Sequence, residues 1–327
     1  MKKKNFFNKV KTIILLGLVG LTTIISGCSI NVHQENKYPE IIVEVIKEPT
    51  KETENTLTSW NNGKDFINIL LIGQDKQQNT GKDETSRSDC MIVININKNT
   101  KSIKLISFMK DLYVDIPEHQ SNRMNEAYRF GGIELLSETL HENFGIEIDA
   151  TMEVNFENFK EIIDSIGGVE INITEEEMNA INKHIKSINK QNGVLENEGL
   201  IQEPGANNLN GTQAMAYASV CHIGNLNFDL TKRQQTLLLE LTEKIRELDI
   251  FQIIRFYKSI PYFMETEIDN KQMSELAQIG INCDISNIET YNIPEDTGYT
   301  DKEIRGMAVL VPDLEKCNEF LSELEVK

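Results

Sequence analysis

The apolar run Phe66–Gly73, FINILLIG, constrains the fold of this chain more than any other stretch of its sequence. Its residues are almost all apolar and it ends in glycine, which is the pattern of a strand buried on both faces of a sheet. Two further apolar runs, Met91–Ile96 and Ile103–Phe108, are separated by the turn-forming residues NKNT and predict a hairpin. The chain therefore has to build a sheet whose faces are covered by other elements.

Segments with helical periodicity alternate with these strands. Apolar residues recur at helical spacing in three segments and more weakly in two others, which are Gly132–Phe144, Asn155–Ile166, Thr231–Asp249, Asp269–Gly280 and Asp313–Leu324. Val169–Ile173 alternates like a strand, and Thr174–Asn192 reads as a polar helix or loop. Because strands and helices interleave, the predicted fold class is α/β, with a mixed central sheet flanked by helices.

The N-terminus predicts export and a membrane attachment. A lysine-rich start is followed by the uncharged apolar stretch Thr12–Ser26, which is shorter than the roughly 20 residues that cross a bilayer and suits a signal peptide. Ile25-Ser26-Gly27-Cys28 then resembles a bacterial lipobox, in which the cysteine is lipidated. A signal peptide over residues 1–27 and an uncleaved signal anchor both fit, and both place the body at the extracytoplasmic face of the cell membrane.

Composition narrows the class of partner and suggests how the chain is divided. Acidic residues outnumber basic ones, 51 to 33, for a net charge of −18, which excludes nucleic acid as a partner because duplex binding needs cationic surface. The predicted divisions are a polar tether over 28–64, a domain over 65–250, and a C-terminal extension over 251–327 that packs on the same domain. The abundance of Lys, Ile and Asn points to a Gram-positive source.

Charged and polar residues collect at the ends of the predicted strands. They are Asp75 after the first strand, Arg87 and Asp89 before the second, Lys110 and Asp111 after the third, and Arg123 and Asn125 at the start of the first helix. Residues at such strand ends face one crevice, where open α/β sheets bind ligands. The carboxylates of Asp75 and Asp89 could hold Mg²⁺. Arg87, Lys110 and Arg123 would neutralise phosphates there, although charged residues at strand ends are often only solvated.

The order of the motifs resembles one family. NILLIGQD, RSDCMIVININKNTKSIKLISFMKDLYVDIP, RMNEAYRFGGIELL, VNFENFKEIIDSIGGVEINI, LNGTQAMAYA and TKRQQ follow one another between Phe66 and Asp249, with weaker similarity in METEIDNKQMSELA and YNIPED. In this order they resemble the LytR-CpsA-Psr family, whose members are extracytoplasmic enzymes that attach polymers to Gram-positive cell walls.

The resemblance implies a lipid phosphotransferase. Its donor would be a polyprenyl-pyrophosphate-linked glycopolymer, such as teichoic acid or capsule, its acceptor peptidoglycan, and its cofactor Mg²⁺. By position in the family's motifs, the implied residues are Arg87, Asp111 and Arg233 for catalysis, Lys110, Arg123, Asn125 and Gln234 for substrate binding, and Asp75 and Asp89 for the metal.

The chain departs from the family pattern in a cluster. Ser219 and Cys221 stand where the family has arginines, Asn227 replaces an acid, and Leu230 replaces another arginine. Lys110 replaces one more, and lysine lacks the planar two-point grip of guanidinium on phosphate. These losses predict reduced transferase activity, or a donor with fewer phosphate charges. The alternative is a non-catalytic protein of cell-wall assembly that binds polyprenyl phosphate or acts as a scaffold.

The positions of the cysteines allow one candidate disulfide. Cys90 begins a predicted core strand, where a buried thiol is common. Outside the membrane a Cys283–Cys317 bridge is the only pairing that the sequence suggests.

Overall fold

The structure is a computed structural model, and it describes residues 60, 63–75, 87–221, 223–224, 226–248, 252, 264–284 and 287–327. The signal segment, the lipobox with Cys28 and most of the polar tether lie outside the described residues. Within the described residues, no helix has the length and apolar character needed to cross a bilayer.

Strands β1 to β12 follow one another along the described chain. They are Phe66–Asp75, Arg87–Asn97, Ile103–Phe108, Tyr113–Val114, Asn122–Arg123, Ala150–Asn155, Val169–Ile173, Gly205–Leu209, Met264–Thr266, Glu289–Ile293, Tyr299–Ile304 and Met307–Pro312. Helices α1 to α7 of the described residues are Met124–Phe144, Phe156–Ser165, Glu175–Asn192, Gly211–Ser219, Leu226–Glu247, Asn270–Ile281 and Leu314–Glu323.

The central sheet has six strands in the order β10-β3-β2-β1-β6-β9. β1 is antiparallel to β2 and parallel to β6, β2 is antiparallel to β3, and β10 runs parallel to β3. The mixed α/β sheet predicted from the sequence is therefore confirmed, as is the β2–β3 hairpin. Strands β9 and β10, from the C-terminal part of the chain, form the two edges of this sheet.

Two apolar layers cover the two faces of the sheet. On one face Ile67, Ile69 and Ile92 belong to a core that includes buried residues of α2 to α6. On the other face Leu70 and Ile72 pack with α1, α7 and the short strand β4. Alternate residues of β1 thus point into different cores, which is why its sequence is apolar at nearly every position.

Local sequence explains where several helices begin and end. Thr174 caps α3 by accepting a bond from the backbone of Glu177, whose side chain bonds back to Thr174, and Gly193 ends the helix in a left-handed conformation. Asn210 and Asp269 build the same two-way cap at α4 and α6. The polar segment 174–192, which the sequence left as helix or loop, is therefore a helix.

Helix α1 is kinked at a glycine pair. The backbones of Gly131 and Gly132 are non-helical, and Gly132 has a φ of 67°, a region that favours glycine. The kink joins the motif that opens at Arg123 to the helical pattern over 132–144. It separates the first turns, which carry Asn125, from the longer second segment that packs on the sheet.

The suggested Cys283–Cys317 disulfide is wrong. The described cysteines form no disulfide with one another, and these two lie in the cores on opposite faces of the sheet. Burial raises the pKa of each thiol to about 11. They are apolar core residues.

Candidate functional site

The strand ends that carry the candidate residues meet at one edge of the sheet. Because β1 and β3 run in the same direction with β2 antiparallel between them, the end of β1 lies beside the start of β2 and the end of β3. In this register Asp75 pairs with Arg87. The side chains of these two residues lie outside the described part of the structure, so their predicted roles stay predictions.

Asp89 occupies a bulge in this edge. Gly73 pairs with Cys90 and Gln74 pairs with Ser88, so the register shifts and Asp89 is the extra residue of β2. A β-bulge breaks the regular alternation of side chains and re-aims the residue it carries. The direction of the Asp89 carboxylate is therefore set by the bulge rather than by the pleat of the strand.

Two ion pairs lie side by side at the site. The Nζ atom of Lys110 donates to Oδ1 of Asp89 at 2.8 Å, with both side chains about a quarter exposed. The Nη1 atom of Arg123 donates to Oδ1 of Asp111 at 3.2 Å. Burial by itself lowers the pKa of Lys110, but Asp89 and Asp111 more than offset it, so this pKa is raised and the ammonium stays charged.

Backbone hydrogen bonds hold the loop that carries Lys110 and Asp111. The amide of Asn125, in the first turn of α1, donates to the carbonyl of Lys110 at 3.3 Å, and the amide of Leu310 in β12 donates to the carbonyl of Asp111 at 3.0 Å. The amide of Met124 donates to the carbonyl of Leu112 at 2.8 Å. The α1 N-terminus and β12 therefore position both ion pairs together.

Several polar atoms at the site are buried without a hydrogen-bond partner among the described residues. They include Oγ of Ser88, Oδ1 of Asn125 and Nε of Arg123. The Nε–H of Arg123 could donate to an anionic ligand, whereas the oxygens of Ser88 and Asn125 could accept from a donor group or bind a cation. Ser88 and Asn125 are buried residues, so these atoms are held in place rather than solvated.

The donor set fits Mg²⁺ only in part. Asp89 offers a carboxylate and Ser88 a hydroxyl, which are the hard oxygen ligands that Mg²⁺ prefers. The described residues contain no group of three or more His, Cys, Asp or Glu side chains that could hold a metal. A magnesium ion here would thus take few protein ligands, and the oxygens of a bound phosphate would complete its shell.

Arg233, predicted to act in catalysis, is directed into the protein. Its side chain is 6% exposed, its Nη2 atom donates to the carbonyl of Val220 at 2.7 Å, and its Nη1 atom lies 3.5 Å from Oε1 of Glu177. The next residue, Gln234, reaches the other way, towards the carbonyls of Asp89 and Ala218 at 3.4 and 3.5 Å. Of these two neighbours, Gln234 is the one that the structure brings to Asp89.

The positions where family arginines are missing differ in their surroundings. Ser219 and Cys221 are half-buried, and Cys221 lies close enough to Lys110 to influence its pKa. Leu230 is only 5% exposed, and the side chain of Asn227 lies outside the described part. Ser219 and Cys221 are therefore partly open to solvent, whereas Leu230 is apolar packing within α5.

Three residues next to the site were not predicted. Nε2 of Gln74, the residue before Asp75, donates to the hydroxyl of Tyr128 at 2.5 Å, and that hydroxyl donates to Glu153. These two hydrogen bonds connect Gln74, Tyr128 and Glu153, and so link β1, α1 and β6 beneath the strand ends. The only sequence signal was the polar Gln74 at the end of an apolar strand, which needs a partner when buried.

These features define an α/β protein with two neighbouring ion pairs at the edge of its central sheet where β1 and β3 end. The chain belongs to the LytR-CpsA-Psr family, whose model matches residues 30–325. The family resemblance found in the motifs is therefore confirmed.

Named relatives include wall-polymer transferases. Polyisoprenyl-teichoic acid–peptidoglycan teichoic acid transferase TagT of Bacillus subtilis (strain 168) is 25% identical over 283 residues, 84% of this chain and 81% of that protein. TagU of Bacillus mycoides (strain KBAB4), with the same transferase name, is 32% identical over 178 residues, covering 53% and 54%. Regulatory protein MsrR of Staphylococcus aureus (strain COL) is 28% identical over 247 residues, covering 74% and 68%.

Solved structures share the fold. A YwtF (TagT) structure with bound octaprenyl pyrophosphate lipid matches with a TM-score of 0.55 and 22% identity, over 81% of this chain and 91% of that one. The ywtF protein of Bacillus subtilis, described as a putative transcriptional regulator, matches with a TM-score of 0.64 and 21% identity over the same shares. At this identity the likeness shows the fold alone.

Proposed function

We propose that this protein transfers a glycopolymer from a polyprenyl-pyrophosphate carrier to peptidoglycan at the outer face of the cell membrane. Membership of the family supports this, because its relatives TagT and TagU carry the name of such transferases. The observation that carries the proposal is the pair of ion pairs at the strand ends, Asp89 with Lys110 and Asp111 with Arg123. They gather two cations at the place where the fold binds ligands.

The residues of the crevice would act by holding and neutralising the pyrophosphate. Phosphoryl transfer needs little covalent help from the protein, so positioning and charge stabilisation supply most of the catalysis. Arg123, held by Asp111, would present its guanidinium to the phosphate oxygens, and Lys110 and Arg87 would add charge. The acceptor hydroxyl would attack the phosphorus next to the sugar, and polyprenyl phosphate would leave.

Mg²⁺ is part of the proposal. Asp75 and Asp89 would hold it, and when bound it would neutralise negative charge on the pyrophosphate. Gln234, which reaches the carbonyl of Asp89, would help to keep the bulge in position. Asn125 would use its buried, unpartnered oxygen on a donor group of the ligand.

A second function is favoured by one observation, the uncharged second side of the site. Ser219 and Cys221 bring no cation, Leu230 is buried, and Arg233 is already engaged with Val220 and Glu177. Losing one charge donor of the transition state costs on the order of 10²–10³ in rate. A protein that binds the carrier lipid without turning it over, or that acts as a scaffold in wall assembly, would show the same pattern.

The test is transfer of a short glycan from a polyprenyl-pyrophosphate donor to peptidoglycan oligomers with Mg²⁺. The full chain in detergent micelles is compared with Asp89→Asn, and Asp313→Asn serves as the matched control. Asp313 also pairs with a lysine but lies at the start of α7, and asparagine caps a helix as well as aspartate.

Loss of product in Asp89→Asn with full product in Asp313→Asn would support the transferase. No product from the wild type, with donor lipid retained in native mass spectrometry, would favour the binding protein. Neither product nor retained lipid would contradict both functions.

The proposed location is the extracytoplasmic face of the membrane, with lipidation at Cys28. The lysine-rich start, the apolar stretch Thr12–Ser26 and the lipobox support it. Cys28→Ala should abolish incorporation of a labelled fatty acid into the protein in cells. Continued labelling would show that this cysteine is not the attachment point.

A further inference from the structure

The Asp89 carboxylate already has a cation of its own. The Lys110 ammonium lies 2.8 Å from Oδ1 of Asp89, at hydrogen-bond distance, and about three quarters of each side chain is buried. A lysine is a compact point charge on a flexible stem, so this cation can be displaced without moving the backbone. The loop beneath it is fixed by the amides of Asn125 and Leu310, which keeps the ammonium within reach of Asp89.

The charges of the described site cancel in pairs. Asp89 is neutralised by Lys110, and Asp111 by Arg123. A divalent cation bound to Asp89 would share this carboxylate with the Lys110 ammonium. Two positive charges held by one carboxylate repel each other in a partly buried site, so each weakens the binding of the other at Asp89.

We propose that Lys110 is an internal competitor for the divalent cation at Asp89, and that it raises the metal concentration that this site requires. The inference rests on the proposed function, because that function supplies the metal. In this proposal the Lys110 side chain has two states. It pairs with Asp89 when the metal is absent, and it turns away from Asp89 when the metal is bound.

The experiment measures Mn²⁺ binding by electron paramagnetic resonance on the full chain in detergent micelles. Lys110→Met should bind Mn²⁺ about tenfold more tightly than the wild type, since a partly buried pair is worth more than an exposed one. Lys110→Arg keeps the charge and should stay within about threefold of the wild type. The matched control is Lys316→Met, which removes a lysine from the exposed pair with Asp313 and should change nothing.

Equal affinity in the wild type and Lys110→Met would overturn the proposal, as would the absence of Mn²⁺ binding in both. Tight binding by Lys110→Arg would also overturn it, because the effect would then follow side-chain shape rather than charge. The double variant Lys110→Met with Asp89→Asn should lose the increase in Mn²⁺ affinity. If the increase remains, the metal binds at a place other than Asp89. Thermal melting in EDTA checks that each variant is folded. Lys110→Gln also removes the charge and replaces Lys110→Met if that variant does not fold.

Glycan transfer on the same preparations separates this inference from the proposed function. Transfer without a difference in Mn²⁺ affinity between the variants would contradict the proposed competition and still support the transferase function. A tenfold gain in Mn²⁺ affinity without transfer by any variant would support the competition and count against the transferase.

Discussion

The two sides of the site are built from different kinds of residue. On the strand side, Lys110 pairs with Asp89 and Arg123 with Asp111, and all four side chains are part-buried. On the helix side, formed by α4, α5 and the loop between them, Leu230 and Arg233 are buried. Both sides match family motifs in sequence, but among the residues that the structure describes the paired charges at the sheet edge belong to the strand side.

The difference follows from how each side is held. On the strand side, backbone hydrogen bonds from α1 and β12 hold the segment that carries Lys110 and Asp111, so these side chains are not needed to fix the backbone. Helix α5 packs Leu237, Leu241 and Ile245 into the core, and its phase takes Arg233 inward as well. Whether a cationic residue of a motif can contact a ligand or instead stabilises the fold therefore depends on the face of the helix or strand on which it lies.

Arg233→Met tests the helix side and should have the largest effect on stability. It should lower the free energy of unfolding by about 3 kcal/mol, because it leaves Glu177 and the carbonyl of Val220 without their buried partner. Urea denaturation is followed by the fluorescence of Trp60, the single tryptophan, which is 4% exposed.

Arg246→Met is the control for Arg233→Met. It lies on the same helix and pairs with Glu243 three residues away, with both side chains exposed to solvent by a third or more, so it should cost under about 0.5 kcal/mol. An Arg233→Met protein as stable as the wild type but without transfer would place Arg233 in the site and remove the contrast between the two sides.

Arg123→Met tests the strand side and should reverse the pattern. Transfer should fall about 100-fold, or about 2.7 kcal/mol in the barrier, because one phosphate cation is lost. Stability should change by about 1 kcal/mol or less, since Asp111 remains partly solvated. A stability loss as large as that of Arg233→Met, without a specific loss of transfer, would make the two sides alike.

Ser219→Arg combined with Cys221→Arg should partly repair the helix side. We expect about a tenfold rise in transfer, close to 1.4 kcal/mol, because both positions are half-buried and Cys221 lies near Lys110. Leu230→Arg should instead destabilise the protein, since it buries a charge within α5. A folded double variant with the wild-type rate would show that the missing arginines do not limit activity.

The central strands were predictable because their signal is local. β1, β2 and β3 are continuous apolar runs separated by turn residues, and the structure has them as expected. β10 was missed because ETYNI is short and mostly polar, with a single buried residue. It is a strand only because β3, distant in sequence, offers it an edge, and a propensity cannot report that.

The site was predictable in place but not in orientation. The position of the charged residues at strand ends follows from the strand pattern, and the structure brings Asp89, Lys110, Asp111 and Arg123 together at one edge. The inward turn of Arg233 was not predictable, since Glu177 is 56 positions away in sequence. The bulge at Asp89 likewise depends on pairing between strands.

The reactivity of the cysteines offers the finest test of whether the helix side faces the donor. Burial raises the pKa of Cys90 to about 12, and that of Cys283 and Cys317 to about 11. A thiol pKa above the working pH leaves little thiolate, on the order of 10⁻³ or less at pH 8, so these three should resist iodoacetamide. Cys221 is half-buried beside Lys110 and should be the described cysteine that reacts first.

Farnesyl pyrophosphate with Mg²⁺ should then slow the alkylation of Cys221 about fivefold, or about 1 kcal/mol, because a bound pyrophosphate would cover the loop between α4 and α5. Peptide mass spectrometry assigns each modified cysteine, and Asp89→Asn, which should lose the ligand, serves as the control. Protection in the wild type alone would show that the helix side borders the donor despite its missing arginines. Equal alkylation with and without the ligand would mean that the donor touches only the strand side, and the lost arginines would then mark a surface that this protein no longer uses.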